Sequence, residues 1–393
     1  MNIISKLLGL ITLPIISRAL GPEVFGRWNL TLTMLSYMAI PFTFGIVNYG
    51  VREVAKGNER EVGNILSSRI LLCLTSYVVS LFVIYFFIGV SPEMFLALTI
   101  GLIYLMSIAM NVEYYYIGTS NFKLPAISQI TGQVVYVICI LFFIKNQNDF
   151  IYLSIIYFCY YFISSSVLLF CFPKKSELNF NFSYKKAFTL LSRSYRLGIS
   201  GLIENFSISL PLMIIGALLG NYETGIFSAA FKLIAILLLG FQTIITVVAP
   251  NLIKLKKQPK AEILSKIRFV TLTFVGIAAF SSLFSYIFGE QIIHLVYGDK
   301  YHEAVSLLKL FGIIYLPMLP LGMLFNSLLI YFEKDKHYLY TTITSFCILV
   351  TFTPVLIYKF STNGAIYGMS LYMITYMSLS LYFVIKELRS IRD

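Results

Sequence analysis

The sequence predicts an all-α polytopic membrane protein with about 12 transmembrane helices in two groups of six. Three observations carry that prediction. Composition is the first: 58% of the 393 residues are hydrophobic and only 12% are charged. Soluble chains average about 45–50% apolar and about 25% charged residues, and the mean hydropathy of +0.82 points the same way. The second is spacing, because apolar runs near 20 residues, long enough to cross the hydrocarbon core, alternate with short polar breaks. The third is a turn motif that recurs between the two halves. Gly (24) and Pro (12) are scattered and Cys is few (5), which excludes collagen-like, low-complexity and disulfide-scaffold chains.

In order, the expected spans cover residues 2–20, 26–50, 64–89, 94–118, 125–144 and 150–172, then 197–219, 225–251, 269–289, 306–332, 339–358 and 365–385. They divide the chain into an N-terminal lobe (1–172), a basic cytoplasmic linker (173–196), and a C-terminal lobe with a short tail (197–393). The runs are continuous and lack the alternation of barrel strands. The first carries Lys6, Pro14 and Arg18 and no small-residue cleavage site, unlike a secretory signal peptide. The chain begins almost directly in a span, so the reading is a trimmed first helix or a start further upstream.

Most of the 30 Lys and Arg fall in the breaks 52–69, 121–124, 173–196, 254–268 and 333–337 and in the tail. All of these lie on one side if the twelve spans are real. The positive-inside rule assigns that side, with both termini, to the cytoplasm. Topology thus accounts for the net charge of +12 without a nucleic-acid partner. Loops are short and leave no room for an extramembrane catalytic domain. The five Cys lie in apolar spans. His294, His302 and His337 sit in loops or at span ends without metal spacing. No metal or cofactor is expected.

Leu20-Gly21-Pro22-Glu23-Val24-Phe25-Gly26 follows the first span, and Leu219-Gly220-Asn221-Tyr222-Glu223-Thr224-Gly225 follows the seventh. Both read Leu-Gly, four residues, Gly, at equivalent turns of the two halves. Six spans per half make such repeats parallel, one of the known transporter designs.

Ionisable residues within spans are costly and serve as default functional candidates. Lys232, seven residues past Gly225, either meets an anionic cargo, snorkels to the interface, or pairs with an acid on a neighbouring helix. Glu204 and Glu113 are ion-coupling candidates for H⁺ or Na⁺, or else interhelical hydrogen-bond partners. Tyr114-Tyr115-Tyr116, after Glu113, reads as an interfacial belt in preference to a sugar-stacking platform. Lys6 and Arg18 lie near opposite ends of the first span, where snorkelling competes with a cavity role.

The opening, Leu13-Pro14-Ile15-Ile16-Ser17-Arg18-Ala19-Leu20-Gly21-Pro22-Glu23-Val24-Phe25-Gly26, resembles that of Wzx-type O-antigen and polysaccharide flippases. These belong to the multidrug/oligosaccharidyl-lipid/polysaccharide (MOP) exporter superfamily. Further matches are Gly45 leading to Arg52-Glu53-Val54-Ala55, the turn Gly118 to Lys123, Gly225-Ile226-Phe227-Ser228-Ala229-Ala230-Phe231-Lys232-Leu233, and Tyr297-Gly298-Asp299-Lys300-Tyr301 before Ala304. The resemblance implies two six-helix lobes around a central cavity. It implies a flippase that moves an undecaprenyl-diphosphate-linked O-antigen or related unit from the cytoplasmic to the periplasmic face by alternating access. By matched position Arg18, Lys232 and then Lys6 line the path. A polysaccharide polymerase and a chain-length regulator are expected partners alongside the lipid bilayer. Competing readings are a cation-coupled drug or metabolite antiporter of the same superfamily, and a membrane polymerase or glycosyltransferase.

Overall fold

A computed structural model describes residues 3–58, 61–173, 180–253, 260–331 and 334–390. All regular structure among them is helical. Among the described residues, eight helices are long and apolar enough to cross a membrane, or up to 10 if each of two bent helix pairs is one span. Exposed rings such as Phe87 (78%) and Tyr358 (85%) give these helices the apolar exterior that hydrocarbon requires. The chain is a multi-pass membrane protein of two compact units, Met1–Asn205 and Phe206–Asp393.

In the N-terminal unit, α1 runs Ile3–Thr43 but is broken at Gly21, where φ is 71° and ψ 172°. That conformation is essentially restricted to glycine. The expected first span is thus the part of α1 before Gly21. The stretch Ile11–Thr43 forms a bent pair with α2 (Ile46–Ala55), at 43°. Then come α3 (Glu61–Val83) with a π turn at Ile84–Ile88, α4 (Pro92–Ile100), α5 (Leu102–Met110), α6 (Glu113–Gly118), α7 (Lys123–Phe143) and α8 (Phe150–Phe170). The fourth expected span is α4, α5 and α6 in series, interrupted at Gly101 and at Asn111–Val112.

Helix α9 (Tyr184–Leu218) departs most from the sequence reading. It starts inside the stretch expected as a linker, 173–196, and crosses from one unit to the other at Asn205/Phe206. Charge suggested a loop, yet the stretch is amphipathic. Ala187, Leu190 and Ser194 are buried while Lys185, Lys186 and Arg193 are exposed, the spacing of a helix with one packed face. The apolar part of α9 is Asn205–Leu218. Leu190 joins Ile46, Tyr49, Ile65, Tyr114 and Leu168 in a core that ties α9 to α2, α3, α6 and α8.

The C-terminal unit contains α10 (Asn221–Ile253), α11 (Lys260–Tyr297), α12 (Ala304–Leu310), α13 (Leu319–Tyr331), α14 (Asp335–Phe360) and α15 (Thr362–Ser390). A second bent pair, at 45°, joins α12 and its π turn Phe311–Tyr315 to α13. Ile267, Phe325, Leu328 and Val384 hold α11, α13 and α15 together. The repeated turn shares one backbone feature: Gly220, like Gly21, takes positive φ, at 94°. Nothing crowds the Cβ position of Gly220, so backbone conformation alone selects glycine there.

Candidate functional site

Three groups of polar residues stand out in the N-terminal unit. The first surrounds Arg69, which the sequence reading counted among the cytoplasmic-side cations of the break 52–69. Instead it is 2% exposed. Its guanidinium donates from Nε to the Phe42 carbonyl at 3.3 Å, from Nη1 to that of Asn111 at 2.7 Å, and from Nη2 to that of Ile108. These carbonyls belong to the C-terminal ends of α1 and α5, where the helices break and carbonyls lose their intrahelical partners. A helix C-terminus carries partial negative charge, so Arg69 joins two such ends and replaces the missing donors. The α1–α2 break is also seated on α9. The Ser194 hydroxyl donates to the Phe44 carbonyl at 3.0 Å. A Cβ on Gly45 would come within 2.5 Å of the Gly198 nitrogen, so the two backbones touch only because both are glycine.

The second group forms where α5 ends. The Asn111 side chain accepts the Glu113 backbone N–H at 2.7 Å and restarts the helix as α6. Glu113 is half-buried, and Gln129 of α7 donates to its Oε1 at 3.2 Å. Around this level lies a tyrosine array absent from the sequence reading. Tyr104 of α5, Tyr136 of α7, and Tyr157, Tyr160 and Tyr161 of α8 pack with ring centroids 4.7–6.3 Å apart. Trp28 closes one side, 5.2 Å from Tyr157. The Tyr-x-x-Tyr-Tyr spacing of 157–161 was the available signal, since residues three and four apart share a helix face. Tyr114-Tyr115-Tyr116, expected as a belt, is buried. The Tyr114 hydroxyl donates to Val62 at 3.3 Å and that of Tyr116 to Leu168 at 2.8 Å, which makes them core pins.

The third group is a pocket of 380 Å³ between α2, α3 and α9. Lys185, Lys186 and Arg193 line it with Tyr49, Asn64 and one acid, Glu61. Lys186 donates to Asn64 at 3.2 Å and Arg193 to the Tyr49 hydroxyl at 3.5 Å. The linker cations that recorded only orientation in the sequence therefore converge on one anion-sized recess.

The candidates named from sequence are more dispersed. Arg18 is exposed on α1, just before the Gly21 break. Lys232 is half-buried on α10 of the other unit. Its neighbour Phe231 packs on Phe227 and Phe311 at 5.9 and 6.0 Å. Lys6 and Glu204 lie in α1 and α9, but their side chains fall outside the described residues.

The model of the polysaccharide biosynthesis protein family matches residues 1–256, more than half of the chain. The chain belongs to that family. Capsular polysaccharide biosynthesis protein CapF of Staphylococcus aureus is 29% identical to this member in an alignment of 385 positions that covers 93% of this chain and 91% of that protein. Among solved structures, an inward-facing multidrug resistance MATE family transporter of the MOP superfamily superposes with a TM-score of 0.75 at 15% identity, covering 100% of this chain and 97% of the other. The lipid II flippase MurJ, in an inward closed conformation, gives 0.77 at 11% identity, over 98% and 87%. This family member therefore has the MOP-transporter fold, as the opening motif implied. All three polar groups lie within the stretch that the family model covers.

Proposed function

We propose that the protein is a flippase for a lipid-linked oligosaccharide used to build a surface polysaccharide, and not an enzyme. The cargo is an undecaprenyl-diphosphate-linked unit of capsule or O-antigen type, carried from the cytoplasmic to the outer face of the cytoplasmic membrane by alternating access. The observation that carries this reading is the basic pocket of Lys185, Lys186 and Arg193, at the end of the N-terminal unit that the charge bias assigns to the cytoplasm. Three cations against one carboxylate favour a diphosphate over the cationic cargo of a drug antiporter. The tyrosine array adds aromatic faces and hydroxyls, a combination suited to sugars. Family membership and the relation to a capsule biosynthesis protein support the polysaccharide assignment. Arg18 and Lys232, and Lys6 less directly, remain candidates for the path. Glu113 and Glu204 remain candidates for coupling to H⁺ or Na⁺. A polymerase and a chain-length regulator would act on the delivered unit.

Deleting the gene tests the proposal. Undecaprenyl-linked units should accumulate on the cytoplasmic face and surface polysaccharide should disappear, with recovery on complementation. Normal surface polysaccharide in a deletion strain that has no redundant exporter would refute it.

A further inference from the structure

At the end of α11 the structure gathers residues that the sequence had left apart. Glu290 and His294 are one helical turn apart on α11. The chain then reverses at Gly298, where φ is 81°, and a short 3₁₀ turn, Asp299–Tyr301, brings His302 back. One ligand atom from each of Glu290, His294 and His302 lies within 4.8 Å of the other two. The two imidazoles meet edge to face with centroids 5.9 Å apart.

We propose that Glu290, His294 and His302 form a binding site for a divalent metal of the Zn²⁺ type. Two imidazoles and one carboxylate make a common three-protein-ligand set for zinc, with the fourth position left to water. Imidazole ligands favour late first-row cations over Mg²⁺ and Ca²⁺, which take oxygen. The Asp299 carboxylate sits 2.6 Å from His294 Nδ1. A carboxylate on one ring nitrogen orients a metal-binding histidine and leaves the other nitrogen, here Nε2, for the ion. Asp299 is thus a positioning residue. The turn itself is anchored: Tyr297 and Tyr301, on either side of Gly298, are buried and pack ring to ring at 5.2 Å. Ligands from α11 and from the residue two before α12 would be clasped by one ion, which would pin the turn that leads into the bent pair. The site belongs to the C-terminal unit and does not depend on the flippase reading.

The test uses the full-length protein in detergent, with its purification tag removed and metal stripped by chelator. Adding Zn²⁺ should load one ion per chain and raise the unfolding temperature, while Mg²⁺ should do neither. His294→Ala and His302→Ala should each abolish loading. Asp299→Asn, at an exposed position that leaves the fold undisturbed, should weaken zinc affinity about 10- to 100-fold. Glu290→Gln should weaken it without abolishing it. Absence of zinc loading by the wild type, or equal loading by the His294→Ala/His302→Ala double variant, would overturn the proposal.

Discussion

The two units each contain one bent helix pair, with nearly equal bends of 43° and 45°, and they secure those bends differently. In the N-terminal unit the break between α1 and α2 exposes carbonyls within the protein, and the buried Arg69 serves them along with the broken end of α5. In the C-terminal unit the bend follows a π turn and contains Pro317, with Pro320 in the first turn of α13. The rings of Phe227, Phe231 and Tyr315 close around Phe311 at 5.7–6.0 Å. The first break thus draws its charged donor from one residue, beside the Ser194 hydrogen bond and the Gly45–Gly198 contact, while the second relies on backbone chemistry and ring packing spread over several residues. Concentrated support makes the first break vulnerable to one substitution, and distributed support makes the second tolerant.

The largest expected effect follows from that contrast. Arg69→Ala removes the guanidinium donors from buried carbonyls at two helix ends, of which that of Ile108 keeps a backbone donor, the Asn111 N–H, and should cost roughly 3–5 kcal/mol, enough to abolish a monodisperse protein in detergent. Arg69→Lys should recover only part of it, because an ammonium lacks the planar fork that reaches two helix ends. Thermal unfolding of both variants is the check, and a wild-type midpoint for Arg69→Ala would remove the lock from the account.

Gly21→Ala ranks next. Its φ of 71° with ψ of 172° excludes a side chain, so about 1–3 kcal/mol should be lost. Gly220→Ala should lose a similar amount for the same reason. Unequal losses, read by the same melting assay, would show that the two matched turns are not energetic counterparts. A smaller change is expected for Pro317→Ala, about 1 kcal/mol, because ring packing continues to support the bend. If Pro317→Ala proves as damaging as Arg69→Ala, the contrast between concentrated and distributed support fails. The smallest effect should be that of Glu113→Gln on stability, because an amide oxygen can still accept from Gln129. A transport defect in that stable variant would favour a coupling role, whereas normal transport would leave Glu113 structural.

Legibility of the sequence tracked how local each signal was. The membrane class, the helical spans and the repeated turn rest on runs and spacings within about 25 residues, and they are present in the fold. Gly21 and Gly220 were identifiable because a conformational demand selects a residue type on its own. Arg69 was misread because a lone arginine near the polar end of a span looks interfacial. Only the meeting of two helix ends, supplied by residues 27 and 42 positions away, gives it partners. Tyr114 and Tyr116 failed similarly, since their acceptors, Val62 and Leu168, are each 52 residues distant. The pocket cations were visible as charge but not as a cluster, because α9 was taken for a linker when its buried Ala187, Leu190 and Ser194 mark a helix face. His302 joins Glu290 and His294 only through the reversal at Gly298.

The central claim is that this protein moves a diphosphate-linked glycan lipid and uses the Lys185–Lys186–Arg193 pocket to receive it. Its most direct measurement is translocation of a fluorescent polyprenyl-diphosphate oligosaccharide in proteoliposomes that contain the purified protein. The account predicts protein-dependent movement of the label across the bilayer, reduced at least tenfold in the folded Lys185→Ala/Lys186→Ala/Arg193→Ala variant. Equal rates with wild-type protein and with empty liposomes would contradict the flippase reading, and equal rates with wild type and variant would contradict the role of the pocket.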